Sequence, residues 1–229
     1  MRENLSLLLA SLRERGWTGT FLVIFSKLKD LLFDIKYGTD TRGWVGLEEL
    51  NFSSENKSRG TQYQPTGVTL LRYAFDSIQP SHESVFIDLG CGKGRVLLLA
   101  YLRGFKRVVG VEFSPQLCQT AKENIEIFGK KLGRKVDIEI HQSDVTDYPW
   151  QDDEDVIFMF NPFDPIVLDK VLSDIQSSFI RRPRRGWIVY VNPRHQGLFD
   201  SARGFELVRE TKVLGDRLSV FEFAVKGNR

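Results

Sequence analysis

The stretch "FIDLGCGKGRVLLLA", residues 86–100, joins one apolar run to another through glycines at alternate positions, Gly90, Gly92 and Gly94. The first run reads as the end of a strand over Ser84–Asp88, the second as a helix over Lys93–Leu102. Glycines in such a turn can take positive φ and admit a ligand close to the backbone. The helix beyond them offers unpaired N–H groups. A dinucleotide-binding loop has the form G-x-G-x-x-G. Counted from Gly90, its third glycine would fall at position 95, where this chain has Arg95. An acid, Asp88, stands two residues before the first glycine. A carboxylate there repels a pyrophosphate and suits a ligand with a cationic or amino-bearing end.

Downstream the pattern alternates strand and helix. Strands are expected at Arg107–Glu112, Val136–Ile140, Asp155–Phe160 and Trp187–Asn192. Helices are expected at about Pro115–Phe128, behind a capping Ser114, and about Pro165–Phe179, behind Asp164. Upstream, Pro65–Ile78 reads as a helix with proline in its first turn. Phe205–Thr211 and Leu218–Val225 have no helix between them and should pair antiparallel. The reading is α/β: a doubly wound, mostly parallel sheet with a C-terminal antiparallel hairpin, helices on both faces and an N-terminal helical extension. The expected division is 1–63 for the extension and a long loop, and 64–229 for the ligand-binding domain.

Four polar residues follow strand ends that share one edge of such a sheet, where ligands bind. Asp88 faces the cationic end. Glu112, 24 residues later, can accept from both ribose hydroxyls and argues against a 2′-phosphate. Asp144 can take an adenine amine, with the Ser143 N–H beside it. Asn161 sits at the last edge, its turn stiffened by Pro162. This set weakens NAD and favours S-adenosylmethionine (SAM), which carries a sulfonium and an ammonium. No metal site is expected.

As a set, these motifs resemble the class I SAM-dependent methyltransferases: "FIDLGCGKG" their first motif, "VVGVEFS" their second, "HQSDVTD" their third and "DVIFMFNPF" their fourth. The resemblance covers about 64–225 and implies a seven-stranded sheet with a closing hairpin. It implies cofactor contacts from Tyr63, Thr66, Asp88, Gly90, Cys91, Gly92, Glu112, Phe113, Ser143, Asp144 and Asn161. "NPF" is similar to the N/D-P-P-Y/F signature of enzymes that methylate planar amino groups, with one proline instead of two. "GKGR" with "YQPT" upstream (Tyr63–Thr66) is similar to some protein-lysine methyltransferases, whose motif ends in G-D-G-R; Lys93 departs from it. The expected activity is methyl transfer to a nitrogen or oxygen nucleophile of a protein side chain, with a small molecule next and RNA behind. A non-catalytic SAM-binding partner subunit is the alternative of another class. Asn161 and His195 are the candidate catalytic residues. Tyr63, Phe163 and Asn192 are candidate walls for the acceptor. Arg95 is expected to reach the loop region or a carboxylate.

The remaining features bound the setting. Of 229 residues, 41% are hydrophobic and 27% charged, with net charge +2, too mild to argue for nucleic acid by itself. "RRPRR", Arg181–Arg185, precedes a strand and so lies at the edge away from the ligand. It is read as a loop rather than a nucleic-acid patch. Cys91 and Cys118 form neither a disulfide framework nor a metal pattern, which fits a reducing compartment. No run of residues is long and apolar enough to cross a bilayer. Leu5–Leu12 lacks the leader and cleavage site of a signal peptide. A cytoplasmic protein is expected. Residues 1–36 read as two helices. In the second, Phe21, Ile24, Phe25, Leu28, Leu31, Leu32 and Ile35 share a face. That helix either docks on the main domain or serves a partner or a membrane surface. Residues 37–63 are rich in Gly, Ser, Thr and Asn and read as a lid-like loop, with Trp44, Leu47 and Leu50 packing on something.

Overall fold

Each expected strand and helix forms in a computed structural model that describes residues 2–46, 63–201 and 204–223. The strands are β1 (Val85–Leu89), β2 (Arg107–Glu112), β3 (Ile138–Gln142), β4 (Glu154–Phe160), β5 (Gly186–Val191), β6 (Phe205–Val213) and β7 (Asp216–Phe223). The helices are α1 (Arg2–Tyr37), α2 (Val68–Asp76), α3 (Arg95–Arg103), α4 (Pro115–Leu132), α5 (Pro165–Arg181) and α6 (Gly197–Ser201). The strands make one seven-stranded sheet in the order β3-β2-β1-β4-β5-β7-β6. Only β7 runs antiparallel to its neighbours.

Every residue of β1 and of β5 is buried, as parallel strands covered on both faces require. Side chains alternate between two cores. Phe86, Val108, Phe158 and Val189 pack with α2, α3 and part of α1. Ile87, Val109, Ile157 and Ile188 pack under α5 and Phe199 of α6. The order reverses between β1 and β4, so the crevice at that switch point opens between the Asp88–Gly90 turn and Asn161.

The helix starts follow the capping logic. The Ser114 hydroxyl accepts from the Leu117 N–H at 3.3 Å. Asp164 accepts from the Ile166 and Val167 N–H groups at 3.0 and 2.9 Å. Several boundaries shift by a few residues. β3 begins at Ile138, two residues late. α2 begins at Val68, not Pro65. The Val68 N–H donates to the Asp30 carboxylate at 2.8 Å, so this helix start is set by a residue of α1, 38 positions away.

α1 breaks at Gly16 (φ 67°, ψ −177°) into the two expected helical segments. Its second segment corrects the expectation that the apolar stripe docks on the domain. Thr20, Ser26, Asp30, Phe33, Asp34 and Tyr37 are buried. Phe21, Ile24, Phe25, Leu28, Leu32 and Ile35 face solvent. The helix is held by its polar side because two carboxylates there meet a buried cation, described below. Trp44 is exposed rather than packed. Leu47, Leu50 and most of the lid-like loop fall on 47–62, outside the described residues. That segment leaves and returns at a bridge between Val45 and Tyr63.

The basic run before β5 is tied down. Arg181 makes a bidentate pair with Asp152 at 2.6 and 2.7 Å. Arg184 donates to the Glu154 carbonyl and the Ser178 hydroxyl. Arg185 pairs with Glu222 at 2.5 Å. These guanidinium groups serve the fold at the edge opposite the glycine loop.

Candidate active site

The glycine loop is folded back on β2: the Gly90 and Cys91 N–H groups both donate to the Val111 carbonyl, at 2.8 and 3.1 Å. Gly90 (φ 85°) and Gly92 (φ 53°) lie in the left-handed region. A Cβ on Gly90 would meet the Pro162 ring at 3.2 Å, so the loop after β1 packs on the turn after β4. A Cβ on Gly92 would sit 2.2 Å from two carbons of the Tyr63 ring. The Tyr63 ring therefore packs against the loop, its hydroxyl donating to the Thr41 carbonyl at 2.9 Å.

Two acids stand at this loop, both almost completely buried. Glu112 accepts from the Gly92 N–H at 2.9 Å and from the Ser114 N–H at 3.0 Å. Burial pushes its carboxyl above the usual range, and the N–H groups of Ser114, Gly92 and Phe113 work against that rise. Burial raises Asp88 well above the usual range, and the Glu112 charge adds to the rise. Among the described residues, no cationic group shifts either acid. This is an electrostatic demand that a positively charged ligand would meet. Asp88, Gly90, Cys91, Thr66 and Tyr63 line a cavity of about 20 Å³, room for about one water. Burial and the charges of Glu112 and Asp88 raise the Cys91 thiol. Burial and Glu112 push Cys118 up to about 12. Neither thiol is a nucleophile near neutral pH.

Arg95 lines the same small cavity as Asp88. It is 2% exposed and turned toward the N-terminal segment. Its Nε donates to the Thr41 hydroxyl at 2.7 Å and its Nη1 to the Thr66 carbonyl at 3.4 Å. Its guanidinium lies 3.7 Å from Asp30 and 3.5 Å from Asp34. Asp34 also accepts from the hydroxyls of Thr39 (2.8 Å) and Thr41 (2.7 Å) and from Arg42 (3.1 Å). Asn124 of α4 completes the clamp, its amide donating to the carbonyls of Asp40 and Lys93. The sequence left Arg95 to the loop region or a carboxylate and did not point to Asp30 and Asp34. The available signal was the Asp30/Asp34 pair, spaced i, i+4, the two acids between Trp17 and Tyr37.

The other expected residues divide. Ser143 lies beside Glu112, its N–H donating to the Glu112 carbonyl at 3.0 Å. Asp144 caps the 3₁₀ turn Val145–Asp147, accepting from the Thr146 N–H and hydroxyl at 3.0 and 2.8 Å. Phe113 and Phe163 are half-buried at the same edge. Asn161 is buried at φ 38°, and its side-chain oxygen accepts from the Tyr190 hydroxyl at 3.2 Å. Tyr190, which the sequence did not single out, also meets the backbone N–H groups of Arg194 and His195. His195 is half-buried in the turn before α6. Asn192 is engaged elsewhere. Its amide donates to Asp216 at 2.9 Å and its oxygen accepts from the Arg217 N–H at 2.9 Å. Asn192 thereby pins the end of β5 to the β6–β7 hairpin.

Comparison with known proteins agrees with this geometry. Residues 80–182 match the family described as "Methyltransferase domain". Over these residues the chain is similar to that family. An uncharacterized protein of Methanocaldococcus jannaschii is 32% identical over 101 residues, 44% of this chain and 43% of that protein. A ribosomal protein L11 methyltransferase of Alteromonas mediterranea is 43% identical over 65 residues, 28% of this chain and 22% of that protein. The chain thus spans less than half the length of these curated relatives. The fold matches an RNA methyltransferase of Salinibacter ruber solved with S-adenosylhomocysteine. The TM-score is 0.55 at 19% identity, covering 72% of this chain and 96% of that one. It also matches the ribosomal protein L11 methylase of Lactobacillus delbrueckii subsp. bulgaricus. There the TM-score is 0.55 at 14% identity, covering 81% and 100%.

Proposed function

We propose that this chain transfers a methyl group from SAM to a nitrogen or oxygen nucleophile of a protein side chain. The observation that carries the donor half is the pair Asp88 and Glu112, buried side by side at a glycine loop, with no cationic group among the described residues shifting either. Asp88 receives the ammonium end and Glu112 the ribose hydroxyls, while Gly90, Cys91 and Gly92 offer backbone along the ligand. Ser143 and Asp144 hold the adenine. Phe113 flanks it, and Tyr63 and Thr66 cover the methionine end. Similarity to L11 methyltransferases supports a protein acceptor.

SAM, when bound, supplies a methyl group already activated by its sulfonium, so alignment contributes much of the rate. Asn161 is held by Tyr190 through one lone pair of its oxygen; the second accepts from the acceptor's N–H or O–H and orients its lone pair. Phe163 walls the acceptor. His195 takes the proton that the acceptor loses, and Tyr190 links its turn to Asn161.

Incubation of the full chain with methyl-labelled SAM and cell extract, with label sorted into protein, RNA and small-molecule fractions, tests the reading. Label in protein that Asn161→Ala abolishes is expected. Label confined to RNA or small molecules overturns the acceptor. Tight SAM binding with no label in any fraction favours a non-catalytic subunit.

A further inference from the structure

The second segment of α1 is built inside out for a helix that merely packs on a domain. Eight of the sixteen large exposed apolar side chains among the described residues lie between Trp17 and Ile35. They include Trp17 at 82%, Phe21 at 65% and Ile35 at 64% exposure. Phe21 and Phe25 stack on one another at the surface, centroids 6.3 Å apart. A contiguous apolar face of this kind on a water-soluble chain marks an interaction site.

The charges say what it meets. Between Trp17 and Tyr37 the acids are Asp30 and Asp34 and the bases are Lys27, Lys29 and Lys36. Both acids point inward to Arg95 and are buried. The lysines point outward or lie along the rim, with the Lys29 ammonium 4.7 Å from the Phe25 ring centre. At ~100° per residue, Lys29 and Lys36 border one side of the apolar stripe and Lys27 the other. The outer face is therefore apolar along its middle, cationic on both rims and free of carboxylates.

We infer that this face of α1 docks the protein on an anionic lipid surface. An amphipathic helix with lysine rims and aromatic residues on its apolar face lies in the plane of the headgroups, its stems spanning the boundary. No helix among the described residues is long and apolar enough to cross the bilayer, which fits surface attachment. A second copy of this chain would set lysines against lysines. A protein groove would need an acidic rim of its own, whereas an anionic bilayer supplies the apolar layer and the negative charge together. The face lies on the side of α1 away from Arg95, so docking leaves the clamp behind the glycine loop in place. The inference does not depend on the methyl acceptor.

Co-sedimentation of the full chain with phosphatidylcholine vesicles, with and without phosphatidylglycerol, tests it. Binding to the anionic vesicles that weakens with salt is expected. The pair Phe21→Asp and Phe25→Asp should lower the bound fraction constant by more than about tenfold. Lys27→Glu, Lys29→Glu and Lys36→Glu together should abolish the preference for anionic lipid. SAM affinity of the Phe21→Asp, Phe25→Asp protein should stay within about twofold of wild type, which shows that it is folded. Failure to sediment with anionic vesicles, or equal binding by the aspartate variant, overturns the inference. So does a dimer in sedimentation velocity that the aspartate variant dissolves while vesicles are ignored; a second copy would then own the face.

Discussion

Replacing Arg95 by methionine tests the clamp that joins the N-terminal segment to the glycine loop. The side chain is almost completely buried, and its removal strands Asp30 and Asp34 in the same pocket. Breaking a buried ion pair by deleting one partner costs about 3–5 kcal/mol. Asp34 keeps its bonds from Thr39, Thr41 and Arg42, and Asp30 keeps the Val68 N–H. The expected loss therefore sits at the lower end, about 3 kcal/mol, a large share of a domain's typical stability of about 5–15 kcal/mol. Urea unfolding followed by far-ultraviolet circular dichroism measures it. The triple variant Arg95→Met, Asp30→Asn, Asp34→Asn should recover part of the loss, because no charge is then left buried. Wild-type SAM affinity is not expected in the single variant. Thr41, which Arg95 holds, is also the anchor of the Tyr63 hydroxyl. A single variant within about 1 kcal/mol of wild type, or a triple variant no more stable than the single, would refute the reasoning.

Asp88→Asn should weaken SAM binding by about 2–4 kcal/mol, on the order of 30- to 1,000-fold by calorimetry, since a buried carboxylate facing an ammonium is lost; unchanged affinity would remove Asp88 from the site. Because the Asp88 carboxyl is raised in the folded protein, the folded chain retains a proton that the unfolded chain has released. Stability without ligand should therefore fall as pH rises from the ordinary carboxylate value to the raised one. Asp88→Asn should flatten that slope. SAM, which favours the ionised form, should release protons in the same window, seen as a buffer-dependent binding enthalpy. Gly92→Ala places a methyl 2.2 Å from the Tyr63 ring at a positive φ; a large loss of SAM affinity is expected, and Tyr63→Ala in the same chain should restore part of it. Asn192→Ala should cost about 1–2 kcal/mol of stability through its lost bonds to the hairpin, while KM for the acceptor stays unchanged; a raised KM would place Asn192 in the acceptor site.

Much of this was legible without coordinates, for identifiable reasons. The βα units announce themselves through local signals: apolar runs of strand length, Ser114 and Asp164 as caps, and glycines at the turn after β1. The parallel sheet and its shared edge follow from handedness and alternation, so Asp88, Glu112, Asp144 and Asn161 could be placed along one edge before any contact was known. The antiparallel return of β7 followed from the missing helix between two strand-like runs.

What tertiary structure alone decided depends on partners distant in the chain. The apolar stripe of α1 obeyed helical spacing, yet periodicity reports only that two faces differ, not which one is buried. A buried cation from α3 drew Asp30 and Asp34 inward, and the stripe was left outside. The same long-range bond moved the start of α2 from Pro65 to Val68. Asn192 reads as a site residue by position, and it pins the hairpin because Asp216 and Arg217 arrive opposite it. Sequence by itself determined the sheet, the glycine loop and the two acids beside it, since these rest on interactions between neighbours along the chain. Which way α1 faces, and how Tyr63 is laid on Gly92, required the fold, because electrostatic pairing between residues tens of positions apart leaves no periodic trace.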